Sequence, residues 1–183
     1  TNHMGVGLTN KTLGLVGFGG IGREFVKISK NLFKKVICYD PFVDKVEMKS
    51  LNVDKVDFDE IAKSSDFLVI LCDLNEKTKG MINSSFLNKM KRSSYLINLS
   101  RGSVVKEKDL IVSSKQNKIA GAGLDVMTNE PIEEDNELIH LENTILTPHS
   151  LCWTDECFNS IATEAISSIL NYFNNKNILN RIV

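Results

Sequence analysis

The sequence predicts an α/β fold: a parallel, doubly wound sheet covered by helices on both faces, in three layers. Two observations carry that expectation. Short β-rich apolar runs alternate along the chain with longer segments of helical period. The run Phe67 to Cys72 (FLVILC) is apolar throughout, as strands buried on both faces of a parallel sheet must be. With 183 residues, 42% hydrophobic and 25% charged, the chain is long and apolar enough to bury one domain's core. A single domain is therefore expected, with its core over 11–175 and a tail over 176–183.

The elements follow in order. Thr12 to Phe18 reads as a strand and Ile21 to Leu32 as a helix, with Ile21, Phe25, Ile28 and Leu32 on one face at spacings of 4, 3 and 4. Val36 to Tyr39 is a second strand, followed by a stretch of mixed character. Phe58 to Ala62 is a short helix, Phe67 to Cys72 a strand, and Ser84 to Met90 a helix with a serine at its start. Tyr95 to Leu99, Ile119 to Val126 and Thr144 to Leu146 are strands, and Lys106 to Ser114 is a helix. Asp155 to Phe173 closes as an amphipathic helix with Phe158, Ile161, Ala165, Ile169, Leu170 and Phe173 on one side. Repeated strand–helix–strand order requires right-handed crossovers, and ligands of such sheets bind beyond the carboxyl ends of the strands.

At the first of those ends stands Gly17-Phe18-Gly19-Gly20-Ile21-Gly22. Gly17 permits the tight turn, Gly19 admits a pyrophosphate close to the backbone, and Gly22 brings the helix down onto the strand. The free amides of Gly20 and Ile21 and the helix dipole favour an anion there. Asp40 ends the next strand, where a carboxylate accepts hydrogen bonds from ribose hydroxyls and repels a 2′-phosphate. A Rossmann-type dinucleotide site with NAD preferred to NADP is the expectation. Cys72 and Leu99 stand at the ends of later strands, followed by Arg101, Asp125, Glu130 and His149.

Other classes are disfavoured by composition. A formal charge of −1, from 22 Lys+Arg against 23 Asp+Glu, leaves no basic excess for nucleic acid. No apolar run approaches the ~20 residues that span a bilayer, and no secretory pattern opens the chain. Cys38, Cys72, Cys152 and Cys157 form no CxxC pair, which favours reduced thiols in the cytoplasm and no metal site. His3 and His140 are expected in solvent, Cys157 and Trp153 in packing, and Lys45, Lys49, Lys89, Lys91 and Arg92 on solvated faces.

From Leu13 to Val183 the chain resembles the D-isomer-specific 2-hydroxyacid dehydrogenases. The resemblance rests on ordered motifs: the glycine loop, Asp40-Pro41, Asn98 to Gly102 (N-x-x-R-G), Gly123 to Val126 (GLDV), Glu130-Pro131, and Thr147 to His149 (TPH). It implies hydride transfer between NAD and C2 of a 2-hydroxy or 2-oxo acid. His149 is then the acid/base, Glu130 the residue that orients and charges its imidazole, and Arg101 the fork for the substrate carboxylate. Asp125 faces the nicotinamide end, and Leu99 and Cys152 line the same pocket. Pairing into a homodimer through this domain is also implied.

Three departures qualify the match. Family members carry about a hundred residues before the glycine loop, half of a substrate domain, and here about a dozen precede it. This species alone is therefore expected to bind NAD weakly and turn over poorly. Asp73 and Asn75 stand where relatives show Pro and Thr, in a loop lining the adenine side. Glu130 stands where formate dehydrogenases carry Gln, which disfavours that branch. A dinucleotide-sensing corepressor remains open, since such proteins keep the same residues.

Overall fold

A computed structural model describes residues 5–178 of the chain. His3 and most of the closing segment Asn177 to Val183 lie outside the described residues. The chain divides into two compact units, Thr1–Pro148 and His149–Val183.

The first unit is built on seven parallel strands: β1 (Thr12–Val16), β2 (Lys35–Tyr39), β3 (Asp54–Lys55), β4 (Phe67–Ile70), β5 (Tyr95–Asn98), β6 (Gly121–Leu124) and β7 (Thr144–Leu146). Their order is β3-β2-β1-β4-β5-β6-β7, so the winding reverses between β1 and β4. Helices α1 (Gly20–Ser29), α2 (Lys45–Ser50), α3 (Phe58–Ser64), α4 (Ser84–Leu87) and α5 (Glu107–Lys115) connect them.

Alternation along the strands fills two cores, which makes the predicted three layers. Leu13, Leu15, Val36, Cys38 and Val69 pack with Val26 of α1 and Met48 of α2. Val16, Ile37, Leu68 and Ile70 pack with Ile61 of α3, Phe86 of α4 and Leu110 of α5. Side-chain carboxamides and carboxylates start the short helices. Asp44, Asp57 and Asn83 accept hydrogen bonds from the amides of Glu47, Glu60 and Phe86.

The second unit consists mainly of α6 (Asp155–Phe173), capped by Thr154, whose hydroxyl accepts from the amide of Cys157.

Several expectations are corrected. The buried stripe of α1 is Gly22, Val26 and Ser29, while Ile21 and Ile28 are 72% and 81% exposed. Glycine at 22 decides this: a Cβ there would stand 2.8 Å from the carbonyl oxygen of Gly17, so the helix approaches along its smallest face. Helix α1 also ends at Ser29, and Lys30–Leu32 tightens into a 3-10 turn. The mixed stretch after β2 contains α2 and the two-residue β3, both too short to show a period. Helix α6 has the expected bounds, Asp155–Phe173, and none of its residues is buried. Trp153 is exposed rather than packed. Lys91 is half-buried and donates to Asp66 and to the carbonyl of Ser64, so it is a structural tie, not a solvated charge. Among the described residues no helix is long and apolar enough to cross a membrane, and no group of three or more His, Cys, Asp or Glu could hold a metal ion.

Candidate functional site

Sheet register puts the candidate residues of the first unit in one row. Val16 pairs with both Tyr39 and Ile70, Ile70 with Asn98, Asn98 with Leu124, and Leu124 with Leu146. The next residues along each strand are Gly17, Asp40, Leu71, Leu99, Asp125 and Thr147, which therefore form the carboxyl edge of the sheet. The ladder runs on through them. The amides of Gly17, Leu71, Leu99, Asp125 and Thr147 donate to Tyr39, Val16, Ile70, Asn98 and Leu124 at 2.8–3.2 Å.

The glycine loop sits at the point where the winding reverses, which is where doubly wound sheets open a crevice. Gly17 has φ +103°, and a Cβ on it would stand 2.7 Å from the amide nitrogen of Cys72. Only glycine meets both demands. Around Gly19 and Gly20, by contrast, no atom lies within 4 Å of where a Cβ would be. The start of α1 is uncapped by any side chain, and no acidic residue stands in its first turn. That open space before free helical amides fits a diphosphate.

Asp40 closes the other side of this loop. One carboxylate oxygen accepts from the amide of Phe18 at 2.8 Å, and the other from Phe42 at 2.8 Å and Val43 at 3.3 Å. A carboxylate has about four lone-pair directions, so it retains capacity for ribose hydroxyls. Phe18 is fully buried, and Arg23 lies over its ring while pairing with Glu47. Cys72, two residues past β4, is half-buried. Burial foremost, joined by the charges of Asp73 and Asp40, pushes its thiol up to about 11, so it is uncharged at neutral pH.

The remaining polar residues hang on a network at the β5 and β6 ends. Asn98 is 1% exposed; its carbonyl accepts from the amide and hydroxyl of Ser100, and its amide donates to the carbonyl of Arg101 at 3.1 Å. This fixes the turn that presents Arg101, which is exposed and donates to the carbonyl of Ser100. Gly102 passes directly against the next loop: a Cβ on it would lie 2.0 Å from the carbonyl of Met127. The amide of Met127 in turn donates to Glu130 at 2.9 Å. Asp125 is 5% exposed and accepts from the hydroxyl of Thr147 at 2.6 Å. The structure thus gathers Gly17, Gly19, Gly20, Ile21, Gly22, Asp40, Cys72, Leu99, Arg101, Asp125 and Glu130 along one edge of the first unit.

His149 and Cys152 belong to the second unit, where both are exposed and His149 has φ 52°. Asn98 and Thr147 are supporting residues that lay inside recognised motifs without being singled out. A polar residue closing the apolar run YLIN was the signal for Asn98.

Comparison with known proteins agrees with this geometry. The family model for "D-isomer specific 2-hydroxyacid dehydrogenase, NAD binding domain" matches residues 1–150. D-3-phosphoglycerate dehydrogenase of Archaeoglobus fulgidus is 36% identical over 168 residues, which is 92% of this chain and 32% of that protein. Glyoxylate reductase of Korarchaeum cryptofilum is 35% identical over 169 residues, 92% of this chain and 51% of that protein. The NAD-complexed D-isomer specific 2-hydroxyacid dehydrogenase of Lactobacillus delbrueckii superposes with a TM-score of 0.86 at 30% identity, over 94% of this chain and 56% of that one. The chain therefore spans about a third to a half of the curated relatives it matches. It belongs to the D-isomer-specific 2-hydroxyacid dehydrogenase family and is an NAD-binding domain of that family.

Proposed function

We propose that the protein containing this chain is an NAD-dependent oxidoreductase moving a hydride between the nicotinamide and C2 of a D-2-hydroxy or 2-oxo acid. The observation that supports this best is the single row at the carboxyl edge of the sheet. Open amides for a diphosphate follow β1, and a guanidinium and two carboxylates follow β5 and β6 on the same edge. NAD supplies the hydride chemistry; the chain supplies placement and charge.

Each residue has a role in this reading. Arg101 grips the substrate carboxylate in two places. His149 gives or takes the hydroxyl proton, and Glu130 favours its protonated form. Asp125, held by Thr147, faces the nicotinamide end, with Leu99 and Cys152 lining the pocket. Asp40 selects NAD by accepting from the ribose. Small 2-oxo acids are the substrate class. Pairing of two copies through this domain and a cytoplasmic setting complete the reading.

The test uses the full-length gene product, NADH, and a panel including glyoxylate and hydroxypyruvate. His149→Ala lowers kcat/KM by roughly 10²–10⁴-fold, and Arg101→Ala weakens 2-oxo acid turnover strongly, while both still bind NADH. Normal rates in both variants would refute the assignment. Asp40→Ala narrows the preference for NADH over NADPH; an unchanged ratio means that Asp40 does not read the ribose.

A further inference from the structure

Glu130 stands on a long irregular loop between Asp125 and the 3-10 turn Glu137–His140. The loop's stems are pinned by burial, with Val126 and Met127 at one side and Leu138 at the other. Between the stems reaches a side chain from elsewhere in the sequence. Glu107, in the first turn of α5, accepts from the amide of Thr128 through one oxygen at 3.2 Å. Its other oxygen accepts from the side-chain amide of Asn136 at 3.0 Å. Asn136 is committed in turn, because its carbonyl oxygen caps the 3-10 turn by accepting from Leu138 at 2.9 Å. One carboxylate thus bridges both stems of the loop that carries Glu130, through bonds strengthened by its charge.

Asn136 cannot reverse to suit a different partner without giving up its cap, so a glutamine at 107 keeps an acceptor for only one of the two bonds. Thr128 directly follows Met127, whose amide holds the Glu130 carboxylate. Loss of the Glu107 tie therefore acts first on the peptide that aims Glu130. A carboxylate in the first turn of α5 would also be favourable for the helix dipole alone, and the two roles make different predictions.

We infer that Glu107 is a positioning residue, acting on the reaction through Glu130; this rests on the role proposed for Glu130 above. The experiment is a double-mutant cycle in the full-length gene product: Glu107→Ala, Glu107→Gln, Glu130→Gln, and Glu107→Ala combined with Glu130→Gln. Glyoxylate reduction by NADH is followed over roughly pH 6 to 10, with NADH affinity measured separately. Glu107→Ala lowers kcat about tenfold and leaves NADH affinity within about twofold, since only the aim of one carboxylate changes. The alkaline limb of its rate profile moves in the same direction as that of Glu130→Gln. Glu107→Gln keeps an acceptor for Thr128 and restores most of the rate. The double variant is no slower than Glu130→Gln alone. If Glu107→Ala does not accumulate as folded protein, Glu107→Gln with its own double variant carries the cycle, at about threefold. An unchanged kcat and limb in the Glu107 variants beside an impaired Glu130→Gln overturns this inference alone, and so does a double variant in which the two losses multiply. An unimpaired Glu130→Gln overturns the role of Glu130, and the inference with it.

Discussion

Glycines at 19 and 102 obey opposite physics. At Gly102 a methyl group would strike the backbone of Met127, which has no rotamer to yield. Gly102→Ala is expected to cost about 1–3 kcal/mol, seen as a lower urea midpoint. Gly19 has ordinary φ of −71° and nothing near its missing Cβ. Gly19→Ala leaves the urea midpoint in place yet weakens NADH binding at least tenfold (about 1.4 kcal/mol), because the methyl occupies the diphosphate's approach. Loss of stability without loss of affinity at position 19 would contradict the placement of the cofactor. Both residues were legible as glycines in motifs; only the packing around them separates a structural need from a binding one.

Between elements, the opposite edge of the sheet is tied by Asp66. It accepts from the amide of Thr12 at the start of β1 at 2.8 Å, and from Lys91 at 3.0 Å. Burial works to raise its carboxyl, but the Thr12 amide and the Lys91 ammonium outweigh burial and hold it below the ordinary carboxylate range. A depressed folded value means stabilisation that is complete above the unfolded pKa, ~3.9, and lost as pH falls through the folded value. Urea unfolding from neutral to acid pH should show this loss, and Asp66→Asn should flatten it at a cost near 1 kcal/mol at neutrality. An identical acid profile in the variant rules the tie out. None of this was readable in the sequence, since Thr12, Asp66 and Lys91 are far apart in it. The same holds for the face of α1: periodicity marked an apolar stripe through Ile21 and Ile28, whereas close approach at Gly22 chose the stripe with Val26 and Ser29.

For the molecule as a whole, the chain carries a site edge on one unit and His149 on another. Its curated relatives are two to three times longer. Expressed as these 183 residues, it is expected to bind NADH measurably and to reduce glyoxylate at least a hundredfold more slowly than the full-length gene product, because orientation and water exclusion supply much of the rate. Equal rates would show that this chain holds the entire site. Burial of Cys72, whose thiol stands at about 11, adds a simpler check: at pH 8 a maleimide modifies exposed Cys152 well before Cys72.

The alternation of strands and helices, the glycine loop, Asp40 and the run of motifs were determined by the sequence alone, because each is written in residues close together or in a period that local geometry enforces. The tertiary structure decided which glycines are crowded, which helix face is buried, and which distant carboxylates (Asp66 and Glu107) hold the strands and the Glu130 loop. Those choices depend on pairings between residues distant in sequence, and no local pattern encodes a partner that only folding brings near.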